Sequence, residues 1–105
     1  MTENCKFFVV EVTYRIPADQ LGETLAEHRA FLQTGYDQGW LLLSGPQVPR
    51  TGGVIIARAP SRAGLEEFFA RDPYRQKQLA DYRFVEFEPV KRAPLMEEWV
   101  SAPVE

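Results

Sequence analysis

Four segments of this chain are apolar on both sides when read as strands, and that pattern limits its possible folds more than any other feature. Phe7–Tyr14 puts Phe8, Val10, Val12 and Tyr14 on one face, and Phe7, Val9, Glu11 and Thr13 on the other. Trp40–Ser44 (Trp-Leu-Leu-Leu-Ser) is apolar on both faces and is stopped by Gly45-Pro46. Val54–Arg58 is β-branched and again two-faced. Tyr82–Glu88 sets Phe84 on one side and Val85 and Phe87 on the other. Between the second and third segments, Gln47–Gly53 holds Pro49, Arg50, Thr51 and two glycines, which is turn chemistry.

Helical patterns fill the two longer gaps. Asp19–Tyr36 is amphipathic: Leu21, Leu25, His28 and Leu32 follow at spacings of four, three and four, one stripe of a helix. Asp19 is the expected N-cap, with Pro17 as a slightly earlier start, and Gly35 or Gly39 supplies a left-handed end. Ser61 is the expected cap of a second helix, with Glu66 and Glu67 early in it and Leu65, Phe68 and Phe69 as its apolar stripe. Asp72-Pro73 ends that helix, because the residue before proline resists helical backbone. Tyr74–Ala80 is expected to form a further short helical piece.

The resulting order is strand, helix, strand, strand, helix, strand. It predicts an α+β, ferredoxin-like βαββαβ domain with an antiparallel four-stranded sheet and both helices on one face. Two helices cannot cover both faces of a sheet this apolar. The expectation is a homodimer packed sheet to sheet, the alternative being that the tail alone covers the second face. The domain is expected over residues 1–90. The tail, 91–105, carries Leu95, Met96, Trp99 and Val100, too apolar for a free linker, and is expected to pack on the dimer.

At 105 residues, 45% hydrophobic and 26% charged, the chain is the size and composition of one globular domain. A net charge of -3 points away from nucleic-acid partners. No apolar run approaches membrane-spanning length, and the N-terminus lacks the pattern of a signal peptide, so no membrane partner and a cytoplasmic location are the default expectations. Cys5 is alone, which rules out an internal disulfide. One histidine and one cysteine do not make a usual zinc site, and Thr51-Gly52-Gly53 lacks the lysine and helix of a phosphate loop. No metal and no cofactor are expected.

His28 is the one histidine, and it lies in line with core-facing leucines. It is either a packed core residue or a group aimed at something. Asp72 follows Leu65 by seven residues, on the same stripe of the second helix, at an end where the helix dipole disfavours an anion. Two explanations are open. Asp72 caps the next short helix, with Pro73 in first position, or it reaches His28, fixing the tautomer and tuning the imidazole as an acid or base. Arg71, Arg75 and Lys77 lie near Asp72, either to hold an anionic substrate or as a solvated face, and Arg75 is the expected contact. Arg50 either closes over a pocket or simply meets water. Tyr14, Tyr36, Tyr74 and Tyr82 either present a hydroxyl to a ligand or are structural, and the structural reading is preferred for each.

Glu27-His28-Arg29-Ala30-Phe31-Leu32, then Gly39-Trp40-Leu41-Leu42-Leu43-Ser44-Gly45-Pro46, Gly53 and Asp72-Pro73-Tyr74 together resemble the YCII-related (YciI-like) family over roughly Phe7–Val90. The resemblance implies a ferredoxin-like subunit of a dimeric α/β barrel. It also implies that His28 and Asp72 are the family's active-site pair, facing a pocket bordered by Ser44 and Gly45. Lyases or dehydrochlorinases acting on chlorinated aromatic diols, and muconolactone isomerase-like proteins, are among the likenesses it brings. The expected activity is therefore cofactor-independent proton transfer on an unknown small organic molecule, as an elimination or isomerisation. The alternative is a non-catalytic dimeric module that binds a small ligand or a partner protein.

Overall fold

Backbone pairing joins the strand segments into one antiparallel sheet. The computed structural model describes residues 5–104. Its strands are β1 (Lys6–Tyr14), β2 (Leu41–Pro46), β3 (Gly52–Ala59) and β4 (Ala80–Phe87), in the spatial order β2-β3-β1-β4. The helices are α1 (Thr24–Asp37), α2 (Arg62–Ala70), the single turn α3 (Pro73–Gln76) and α4 (Glu97–Ser101). Apart from the tail, this is the ferredoxin-like α+β plan expected from the order of patterns.

Register decides which residues share a face. Val10 pairs with Ile55 and Phe84, and Val12 with Gly53 and Tyr82. These residues, with Phe8 and Ala57, lie under α1 and α2, where they meet Leu32, Leu65, Phe68, Phe69 and Tyr74 in one core. Burying each of the valine, leucine, isoleucine and phenylalanine side chains among them contributes about 1.5–3 kcal/mol, so this face dominates the stability of the domain. Gly52 is fixed by close approach: a Cβ there would stand 1.7 Å from the carbonyl oxygen of Val12.

Several boundaries differ from the sequence reading. The first helix starts at Thr24 rather than Asp19, and Asp19 makes no cap. Ala18–Gln20 closes a separate 3-10 turn, and Gly22, at φ +58°, breaks the path before α1 begins. Leu21 is still buried just ahead of the helix, so the stripe survives the break. Gly39 does take the left-handed conformation (φ +81°) after α1. The short helix after Asp72 stops at Gln76, and Gln78 at φ 59° turns the chain so that β4 begins early, at Ala80. Ser61 caps α2 as expected, its side chain accepting from the Gly64 N–H at 3.0 Å.

The second face is covered at one end. Phe7 and Cys5 pack with Met96, Trp99 and Val100 of the tail, and the Phe7 and Trp99 rings meet edge-on at 5.7 Å. Arg58, paired with Phe7, is buried beneath them and donates to the carbonyls of Gly39, Trp99 and Ala102. Beyond that end Val9, Ile56 and Val85 are half-buried, Leu43 is 57% exposed and Phe87 38% exposed. The tail thus docks on the sheet of its own chain without covering the whole face. Among the described residues no helix is long and apolar enough to cross a membrane.

Candidate functional site

Two helices that lean on the same sheet face bring His28 and Asp72 together. Asp72 sits in extended backbone (φ -63°, ψ 131°) between α2 and α3, with Pro73 in the first position of α3. One of its oxygens, Oδ1, accepts from the Tyr74 N–H at 3.0 Å. Both carboxylate oxygens lie 2.8 Å from Nδ1 of His28. Asp72 therefore caps α3 and reaches His28 at the same time.

The carboxylate has no exposed surface, and a charge buried this deeply is tolerated only with several donors. The third donor comes from β4. The Tyr82 hydroxyl donates to Oδ2 of Asp72 at 2.5 Å. Burial, followed by the negative charge of Asp72, pushes the Tyr82 phenol far above its ordinary range and keeps it a donor. The Tyr74 ring lies parallel to the imidazole, 3.9 Å away and tilted by 10°. Carboxylate and ring stack together fix the histidine. With Nδ1–H donating to Asp72, the lone pair of the neutral ring is at Nε2, which has no protein partner among the described residues.

His28 lines a cleft of about 200 Å³. Its apolar floor comes from Val12, Leu32 and Ile55, and Tyr14, Tyr74, Ser44 and Gly45 form its walls. The Ser44 hydroxyl is within 2.7 Å of the Tyr36 hydroxyl, which anchors it. Tyr74 is buried with its hydroxyl close to Tyr14 but without a well-formed hydrogen bond, and burial, then Tyr14 and Asp72, push its pKa up. The exposed side chains of Arg29 and Arg50 complete the rim. Arg75 does not line this cleft. Its guanidinium stacks over the outer side of Tyr82, 5.7 Å from the ring, beside a separate hollow shared with Arg15 and Asp81. Arg71 stacks over Phe68, and Lys77 bonds Glu27 at 2.8 Å, so neither lines the cleft either. Among the described residues no cluster of metal-ligating side chains exists.

The family model for the YCII-related domain matches residues 7–88. The chain belongs to the YCII-related family. No curated protein matches it significantly. Among solved structures, this YCII-related chain is similar to the 5-chloro-2-hydroxyhydroquinone dehydrochlorinase TftG of Burkholderia phenoliruptrix, in complex with 2,5-dihydroxybenzoquinone. That match has a TM-score of 0.63 at 18% identity, covering 78% of this chain and 91% of the other. It is also similar to SnoaB, a cofactor-independent oxygenase of Streptomyces nogalater, with a TM-score of 0.52 at 14% identity over 86% and 97% of the two chains. At such identities the likeness concerns the fold.

Two tyrosines for which the sequence favoured a structural reading stand against the candidate pair. Tyr82 completes the carboxylate's hydrogen bonds, and Tyr74 stacks on the imidazole. Tyr74 carried a usable signal, since it follows Asp72 by two residues and must turn with it. Tyr82 carried none, because its approach to Asp72 depends on where β4 pairs.

Proposed function

We propose that this YCII-related protein is a homodimeric small-molecule enzyme in which His28 moves a proton and Asp72 governs how it does so. One observation carries the reading. A fully buried carboxylate is bonded to the imidazole that faces the cleft. In an elimination, Nε2 takes a carbon-bound proton, the C–H electron pair forms the new double bond, and the leaving group departs with its electrons. The imidazolium is then stabilised by Asp72 and returns its proton to solvent. In an isomerisation the same nitrogen returns the proton at a second carbon. Neither step requires a cofactor. Ser44 and Gly45 border the position of the substrate, and TftG, of similar fold, is itself a dehydrochlorinase.

Support for the dimer comes from the second sheet face, where Leu43 and Phe87 are exposed beyond the reach of the tail. A non-catalytic ligand-binding module is the competing reading. It is favoured by the tight seating of His28 between Asp72 and Tyr74, which also suits a rigid pocket wall.

Turnover separates the two. Chlorinated hydroquinones and small lactones would be screened by chloride release and proton NMR. His28→Gln and Asp72→Asn are expected to lose at least about a hundredfold in rate, with circular dichroism and sedimentation unchanged. A His28→Gln protein that turns over at the original rate sinks the proton-transfer reading. Loss of the dimer in both variants makes the pair structural.

A further inference from the structure

The arginines of this chain divide sharply by whether the fold uses them. Arg15, Arg62, Arg83 and Arg92 bond Asp81, Glu66, Glu11 and Glu97. Arg58 is spent on backbone carbonyls, and Arg71 and Arg75 lie over the rings of Phe68 and Tyr82. Only Arg29 and Arg50 make no ion pair, hydrogen bond or ring stack among the described residues, and both line the cleft that holds His28. They come from unrelated places, α1 and the β2–β3 loop. Among the described residues no aspartate or glutamate lines the cleft to balance them. A second observation points the same way: Tyr74, 1% exposed on the cleft wall, has a hydroxyl without a well-formed hydrogen bond. The cleft therefore offers two free guanidinium forks above an apolar floor, beside a phenol hydroxyl whose contact with Tyr14 falls short of a well-formed bond.

We propose that the cleft selects small organic anions, with a carboxylate held at the rim by Arg29 and Arg50 and an apolar body resting on Val12, Leu32 and Ile55 against His28. This rests on the cleft assigned above and adds the class of molecule that enters it. Guanidinium matches a carboxylate with paired hydrogen bonds, and it holds that match better than a lysine does. The apolar floor favours a carboxylate on a hydrocarbon or aromatic frame over a bare ion. At about 200 Å³ the cleft suits a molecule smaller than those filling most ligand pockets. Anchoring a carboxylate at the rim also fixes the depth at which a carbon meets Nε2, which converts binding energy into orientation.

The test reads binding, not turnover. Benzoate, salicylate and 2,5-dihydroxybenzoate would each be titrated beside the corresponding uncharged carboxamide, following the His28 ring signals and backbone amides by NMR. The anions are expected to bind about tenfold or more tightly than the amides, to weaken as salt is raised, and to lose their advantage in the double variant R29Q/R50Q. Inorganic phosphate is expected to bind weakly, since it has no apolar body. Equal affinity for acid and amide, no binding by any acid, or an advantage that survives R29Q/R50Q would each overturn the proposal. Phosphate binding as tightly as the acids would overturn the role given to the floor. An enzyme with no turnover but intact anion preference removes the proton-transfer reading and leaves this one standing.

Discussion

Asp72 lies sealed beneath the helices with no exposed surface, and Arg58 lies on the opposite side of the sheet at 4% exposure. Both are charges taken out of water, yet their partners differ in kind. Arg58 donates to the carbonyls of Gly39, Trp99 and Ala102, groups that neither gain nor lose protons. Two of these carbonyls stand at the end of α4, where the helix dipole favours a cation. Asp72 accepts from a backbone amide, a phenol and an imidazole, and the imidazole opens onto a cleft. Burial alone therefore says little about chemistry. A buried charge that ends on backbone is a fastening, whereas one that ends on a titratable ring beside a cavity can do work on a ligand.

That contrast breaks most visibly under substitution. Arg58→Met is expected to lower stability in urea titrations by about 1–3 kcal/mol for each buried carbonyl left without its donor, to expose the tail to protease and to leave anion binding in the cleft unchanged. Asp72→Ala is expected to lose a similar amount by leaving donors orphaned, while Asp72→Asn keeps most of the stability and loses the chemistry. If Arg58→Met instead abolishes cleft binding, the two buried charges are coupled and the contrast fails.

A smaller effect sharpens the Asp72 side. Tyr82→Phe removes one donor and is expected to lower stability by about 1–2 kcal/mol. It should also alter the alkaline limb. Tyr82 and Tyr74 both have pKa values raised above the ordinary phenol value of about 10. Folding thus favours their protonated forms, so their contribution is whole below about pH 10 and is lost as pH rises further. Tyr82→Phe should unfold with a flatter pH dependence above that point, and an unchanged slope would show that Tyr82 is not responsible.

The smallest effect sharpens the Arg58 side. Burial pushes the Cys5 thiol above its ordinary value, and Arg58 draws it partly back. Alkylation near pH 8 should be slow in the native protein and several-fold faster in Arg58→Met, whose tail no longer shields the sulfur. Equal rates would mean that the tail does not guard this end of the sheet.

The His28–Asp72 contact was legible in part: His28 sits on a helical stripe whose phase the break at Gly22 did not disturb, whereas Asp72 lies past the end of α2 in extended backbone, so spacing left capping and pairing both open and only the family resemblance joined the two. The sequence carried the fold, since two-faced strands and capped helices are local patterns. Contacts made across the sheet were not legible. Tyr82 reaches Asp72 only through the pairing of β4 with β1. Arg58 reads as the end of an apolar strand, and nothing local says that the tail returns to it. Arg75 is three residues beyond Asp72, near in sequence and turned toward the far side of Tyr82. Arg50 stood out in its glycine-rich loop as a residue that could close over a pocket, but its partnership with Arg29 becomes noticeable only once every other arginine has been accounted for in three dimensions.

The stack of Tyr74 on His28 has a practical side. A ring held 3.9 Å above the imidazole and nearly parallel to it places the carbon-bound imidazole protons in the shielding cone of the phenol. Their resonances should lie upfield of those of a solvated histidine, and with a single histidine in the chain they need no assignment. A molecule entering the cleft or a tilt of either ring moves them, so the protein carries its own ring-current probe, provided that any polyhistidine tag has been cleaved.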